Sequence, residues 1–162
     1  MADIDARAPY SSGLLRRVPG TSFPLRVIVA EDEESAREAA VATFLGDGDD
    51  VVVLESAAEL TDCLNVISRQ GLRSPDLIVV GATTAPRAEL DLVEWMRAAG
   101  WTTPVVLLSW LLPRDVQVRL ARADGMAVVT KPFNAAELRR AALYARFCKR
   151  AATPASGKAC PH

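Results

Sequence analysis

Five short runs of β-branched or aliphatic residues recur along the chain: LRVIVA from Leu25, VVVL from Val51, LIVV from Leu77, VVLL from Val105 and AVVT from Ala127. Each has the length and the unbroken apolar character of a strand buried on both faces, without the alternation that one wet face would impose. Stretches of helical length separate the runs. The first four of these end on Gly46, Gly71, Gly100 and Gly125, the residue type that most readily takes the left-handed conformation closing a helix. Two helix starts carry a capping side chain three residues ahead of an acid, Ser56 with Glu59 and Asn134 with Glu137, the spacing at which each side chain reaches the other's backbone N–H. Leu60, Leu64 and Ile67 fall on one face of the second helix, and Leu138, Ala142 and Ala145 on one face of the fifth. Such stripes predict helices lying on a sheet.

Strands alternating with helices in this way predict a doubly wound α/β fold, a five-stranded parallel sheet covered on both faces by right-handed crossovers. The length of 162 residues, half of them apolar, suits one such domain with a real core. It is expected over residues 24–151. Residues 1–23, with Pro9, Ser11, Ser12, Gly13, Pro19 and Gly20, and residues 152–162, with Pro154, Gly157 and Pro161, are expected to be flexible ends.

Charge and composition narrow the possible partners. Lys and Arg number 19 against 20 Asp and Glu, so no global basic field exists to recruit nucleic acid or an anionic membrane. The fifth helix does carry Arg139, Arg140, Arg146, Lys149 and Arg150, and against the near-neutral whole these are expected to form a solvated or protein-contacting face. The longest apolar run, Val105 to Leu112 interrupted by Ser109, falls far short of the roughly 20 residues of a membrane-spanning helix. Arg16 and Arg17 lead into Val18, Pro19 and Gly20 rather than an apolar stretch, so no secretory signal is expected and the cytoplasm is the default location. Cys63, Cys148 and Cys160 are widely spaced and His162 is the lone histidine, which argues against structural zinc and makes Cys63 and Cys148 expected small core residues.

In open parallel sheets the working site lies beyond the carboxyl ends of the strands. There the first run leads into Glu31, Asp32 and Glu33, the third into Gly81, the fourth into Ser109, and the fifth into Thr130, Lys131 and Pro132. An acid cluster, a hydroxyl and a lysine should converge. Lys131 is further restricted to extended geometry by the proline that follows it. No glycine-rich turn follows the first strand, and Glu31 to Glu34 would repel a pyrophosphate there, so a nucleotide-binding enzyme is not expected.

From Leu25 to about Arg150 the sequence resembles the receiver domains of bacterial response regulators, through AEDEE, PDLIVV, PVVLLSW and VVTKPFNAAEL. The resemblance implies the flavodoxin-like (βα)5 receiver fold and a place in two-component phosphorelay signalling. It also implies that Glu31 and Asp32 stand at magnesium-binding positions, that Ser109 and Lys131 stand where the family grips a phosphoryl group, and that residue 81 should be the aspartate that accepts phosphate from a histidine kinase.

Two positions depart from the pattern. Gly81 occupies the phosphoacceptor position and Val128 that of the aromatic switch residue. Leu90, Leu92, Val93 and Met96 follow without a gap, and Ala82, Thr83 and Thr84 supply no carboxylate, so a shifted alignment does not restore the acceptor. Asp76 lies five residues upstream, roughly 16 Å away along a strand. Acyl phosphate chemistry is therefore expected to be absent, no cofactor is required, and the expectation is a non-enzymatic pseudo-receiver. Glu31 and Asp32 would form either a weak magnesium site or an acid pair neutralised by Lys131, with the second expected. Ser109 and Lys131 would keep an anion pocket or simply close the cleft. Trp110, Leu111 and Leu112, in the loop after the fourth strand, would fold over the site or meet a partner. The resemblance implies a protein partner, whether a histidine kinase, an output protein or a second copy, on the fourth helix, fifth strand and fifth helix. The alternative is a small-ligand sensor using the degenerate acidic cleft.

Overall fold

The strands are set by the five apolar runs. In the computed structural model, which describes residues 24–151 and the side chains of all but residues 148–151, they are β1 (Arg26–Ala30), β2 (Asp50–Leu54), β3 (Leu77–Ala82), β4 (Val105–Ser109) and β5 (Met126–Thr130). Between and after them lie α1 (Glu34–Gly46), α2 (Ala57–Gln70), α3 (Arg87–Ala98), α4 (Arg114–Ala121) and α5 (Ala135–Ala151). All strands pair in parallel, in the order β2-β1-β3-β4-β5. The expected flexible ends, residues 1–23 and 152–162, lie outside the described residues, as do Cys160, His162 and the side chains of Cys148, Lys149 and Arg150.

Two cores sandwich the sheet. Val27, Val29, Leu77, Val79, Val106 and Leu108 pack with Phe44 of α1 and Leu138, Ala142 and Ala145 of α5. On the other face Ile28, Ile78, Val80, Val105 and Leu107 pack with Leu60 and Leu64 of α2 and Leu90, Val93 and Met96 of α3. The helix stripes legible in the sequence are the residues that bury. Cys63 is partly buried against the second core, and the same burial pushes its thiol pKa up, the behaviour of a small apolar side chain.

The strand at the edge departs from expectation. β2, which has β1 on one side and no strand on the other, is only partly buried: Val52 and Val53 are 40% and 47% exposed. An apolar run therefore overstates burial at a sheet edge. The end of α1 also differs. Gly46 is the last helical residue and Asp47, in ordinary helical geometry, caps it, while the left-handed turn falls two residues on at Gly48, with φ 83°. At α2 the expectation holds, with Gly71 at φ 62° receiving the chain.

Both helix caps form, but only the second is a full capping box. The Ser56 hydroxyl accepts the Glu59 N–H at 3.2 Å, although the Glu59 carboxylate reaches the N–H of Glu55 rather than of Ser56. At α5 the exchange is reciprocal: Asn134 Oδ1 accepts from Glu137 N at 2.8 Å and Glu137 Oε1 from Asn134 N at 3.0 Å. This second box fixes the chain just after Lys131, across a cis Lys131–Pro132 bond. Replacing Asn134 with Ala is expected to cost about 1 kcal/mol in a urea unfolding midpoint with little change of slope; an unchanged midpoint would remove the cap from the account.

Candidate functional site

Strand register builds the site. Ala30 pairs with Val80, so the next residues, Glu31 and Gly81, stand side by side where β1 and β3 deliver the chain to the carboxyl edge of the sheet. Ser109 pairs with both Ala82 and Thr130, and Lys131 follows, its N–H donating to the Ser109 carbonyl at 2.9 Å.

Glu31 and Lys131 meet. Lys131 Nζ lies 2.6 Å from Glu31 Oε1, with the side chains 1% and 0% exposed. The ammonium also donates to the carbonyl of Ala82 at 3.2 Å and lies 3.7 Å from Glu33 Oε1. Glu31 Oε2 accepts the N–H of Glu33 at 3.0 Å. The Glu31 carboxylate occupies the space over Gly81: a Cβ built on that glycine would overlap its Oε1 and Cδ and lie 2.9 Å from Oε2. Gly81 is not among the glycines with positive φ. Its lack of a side chain matters for volume and not for backbone conformation.

The other expected residues are placed as follows. Asp32 is exposed, and its side chain adds to the upward shift that burial gives the Glu31 carboxyl. Among the described residues no group of three His, Cys, Asp or Glu side chains is arranged to hold a metal ion. A magnesium ion wants several oxygen ligands at about 2.0–2.1 Å in an octahedron, and Glu31, turned onto Lys131, does not fit that demand. Ser109 is fully buried; its hydroxyl donates to the Leu111 carbonyl at 2.7 Å and accepts the Leu111 N–H at 3.2 Å. Asp76, at the opposite end of β3, accepts the Arg26 N–H at 2.8 Å and pairs with Arg73.

The loop after β4 divides. Leu112 packs against the second core, whereas Trp110 and Leu111 are 45% and 56% exposed. The Trp110 indole N–H donates to Glu33 Oε2 at 3.2 Å. Val128 lies partly buried at the floor of an open groove of about 670 Å³ between α4, β5 and α5, walled by Leu112, Leu120, Ala141 and Tyr144, with Arg140 at its edge. The sequence placed Glu33 in the acid cluster at the strand ends; what it did not reveal is the contact with Trp110, made from the N-cap position of α1, where Glu33 forms no side-chain cap bond.

Burial pushes the Glu31 carboxyl above its ordinary range, against the opposing pull of Lys131 and the Glu33 N–H. Burial likewise raises half-buried Glu89, with Asp32 adding to the shift. An acid whose pKa is higher folded than unfolded binds more protons in the folded state between the two values, so its contribution to stability falls as pH rises through that window. Lys131→Met would leave Glu31 buried without its counter-ion and widen the window. The variant is expected to lose about 3–5 kcal/mol near neutral pH, with the deficit shrinking on acidification toward pH 4.5, the ordinary value of the carboxyl. Melting curves of both proteins across pH 4.5–8 check the sign; a deficit that grew on acidification would contradict it.

No protein-family model matches the chain. Over 117 residues it is 28% identical to the transcriptional regulatory protein PdtaR of Mycobacterium tuberculosis, covering 72% of this chain and 54% of that protein. Over 113 residues it is 33% identical to a protein-glutamate methylesterase/protein-glutamine glutaminase of Myxococcus xanthus, covering 67% of this chain and 30% of that protein. The chain thus spans about half the length, or less, of these curated relatives. Among solved structures, the receiver domain of the Francisella response regulator 1452 superposes with a TM-score of 0.59 at 21% identity, over 80% of this chain and 99% of that one. A two-component response regulator from Cytophaga hutchinsonii superposes with a TM-score of 0.61 at 17% identity, over 75% and 97%. In strand order, helix placement and sequence likeness, the described residues form a domain with the receiver fold of response regulators.

Proposed function

We propose that this chain is a pseudo-receiver: a receiver-fold domain of a response-regulator-type signalling protein that works by phosphorylation-independent protein–protein contact and not as an enzyme. The observation that supports it most strongly is the filled acceptor position. Gly81 offers no nucleophile, and the space above it holds the Glu31 carboxylate, itself paired with the buried Lys131 ammonium. A phosphoryl group would need an in-line carboxylate and a free cation. Here the glycine supplies no nucleophilic atom, the Glu31 carboxylate takes the room above it, and the cation is engaged.

The partner is a protein, with a histidine kinase, an output protein or a second copy as the candidates. Its expected docking face is α4, β5 and α5, where Val128 in place of a larger aromatic floors the groove beside Leu112, Leu120 and Tyr144. The exposed Trp110 and Leu111 are a second contact of the kind that anchors interfaces. The small-ligand reading is less well supported, because the Lys131 ammonium is ion-paired with Glu31 and bonds the Ala82 carbonyl, and the Ser109 hydroxyl bonds the Leu111 backbone.

Incubation with magnesium and acetyl phosphate is expected to leave the intact mass unchanged. A stoichiometric phosphate mapping to the β1, β3 or β5 end of the sheet would sink the proposal.

Gly81→Asp tests the filled position from the other side. Any Cβ at 81 must displace the Glu31 carboxylate, and a third carboxylate beside those of Glu31 and Glu33 adds like-charge repulsion that one ammonium does not offset. The metal-free variant is expected to be less stable than wild type. With Glu31 displaced, two carboxylates become available to a cation, so magnesium should raise the melting temperature of the variant while leaving wild type nearly unmoved. Equal stabilisation of the two proteins across a magnesium titration would show that residue 81 does not govern the cleft.

A further inference from the structure

Taking the chain to be a domain that phosphate does not switch, as read above, we infer that the Glu31–Lys131 pair fixes the Trp110 ring through Glu33, so that an internal ion pair sets the orientation of one exposed aromatic of the contact loop. The connection is continuous. Glu33 uses its two carboxylate oxygens on different partners: Oε1 faces the Lys131 ammonium at 3.7 Å and Oε2 accepts the Trp110 indole N–H at 3.2 Å. Its backbone is tied to the same pair, because its N–H donates to Glu31 Oε2 at 3.0 Å. Glu31 therefore places the Glu33 backbone while Lys131 supplies the charge that draws its side chain inward.

The far side of the loop is anchored separately. Ser109 bonds both the N–H and the carbonyl of Leu111, and Leu112 is held in the second core. That leaves the Trp110 ring, itself half-exposed, reaching across to the β1–α1 loop through Glu33. Glu33 keeps 31% of its side chain exposed, so without the ammonium beside it solvent competes for the carboxylate and the indole loses its aligned acceptor. The other cation nearby does not replace Lys131: Arg37 donates to the carbonyls of Glu31 and Asp32, at 3.0 and 3.4 Å, and not to the Glu33 carboxylate. Glu31 and Lys131 are thus positioning residues for a surface they do not touch. Gly81 permits their pairing by leaving the space empty of any side chain.

The test uses the full chain labelled with 15N at its three tryptophans, Trp95, Trp101 and Trp110, with the Trp110 indole assigned by Trp110→Phe. The paired variant Glu31→Met with Lys131→Met removes both charges together, and replacing a buried ion pair by apolar residues of similar volume is often close to neutral for stability. Exchange of the Trp110 indole proton with water is expected to quicken about fivefold or more, with Trp95 and Trp101 unmoved. A Trp110 signal unchanged in position and exchange would overturn the inference. Coupling between two sites is reciprocal, which supplies a second measurement on a variant altered only at the surface. Trp110→Ala should shift the titration of the 13C-labelled Glu31 carboxyl from its wild-type midpoint, and an unmoved midpoint overturns the inference even if the paired variant does not fold. Acetyl phosphate labelling reads the pseudo-receiver assignment independently, so a wild type that took up phosphate would sink that assignment without altering either coupling measurement.

Discussion

The arrangement of the carboxyl edge depends on one buried ion pair and on the side chain missing beneath it. Lys131 follows β5, Glu31 follows β1, and the Ala82 carbonyl that the ammonium also bonds belongs to β3. Three strand ends therefore converge on a single nitrogen. Taking both charges out of water is expensive, and their attraction offsets the cost only when geometry and further hydrogen bonds are favourable. Here Glu31 gains the Glu33 N–H and Lys131 gains the Ala82 carbonyl. The Glu31 carboxyl nonetheless remains above its ordinary range because burial outweighs these gains. A pair of that kind is a weak source of stability and a strong constraint on position: either charge left alone is costly, so the two must stay together.

Sheet topology explains why the constraint falls here. With β1 between β2 and β3, the residue after β1 lies beside the end of β3, and a long acid there reaches over its neighbour. If residue 81 carried a side chain, the Glu31 carboxylate would have to turn elsewhere. Glycine at this position has two consequences. β3 carries no carboxylate there, and the carboxylate that follows β1 takes the volume a side chain would fill. The negative charge buried opposite the lysine therefore hangs from the end of β1.

The fold was legible in the sequence because its signals are local and mutually consistent. Unbroken apolar runs gave the strands, Ser56 and Asn134 marked helix starts that form the expected caps, and Leu60, Leu64, Leu138 and Ala142 are buried as their spacing required. What failed was neighbourhood. Val52 and Val53 are as apolar as Val79 and Val80, and only the order of strands leaves the first two at an edge. Likewise the composition of the site was readable, with Glu31, Ser109, Lys131 and the odd Gly81 all identified, but its pairing was not. Glu31 and Asp32 are adjacent in the chain but differ in burial, because the chain bends just after β1: Glu31 is buried and Asp32 is exposed. Glu33, two residues on, is the acid that returns to the lysine.

The same geometry bears on what kind of signalling such a site permits. A receiver that is switched needs a lysine and a hydroxyl free to change partners when a phosphoryl group arrives, because a ligand shifts an equilibrium only by the difference in its affinity for the two states. In this chain the lysine is held by an internal carboxylate within ion-pair distance, and the hydroxyl of Ser109 is bound to the backbone of Leu111 on both its donor and acceptor sides. An arriving phosphate would have to break those contacts and would find no carboxylate on β3 to receive it. Beside the cleft Trp110 and Leu111 are exposed and the groove between α4, β5 and α5 is open. If the domain works as proposed above, a partner on this surface would meet an arrangement that follows from the fold without a phosphoryl group, and regulation would have to act on the partner, on abundance, or on the ion pair itself.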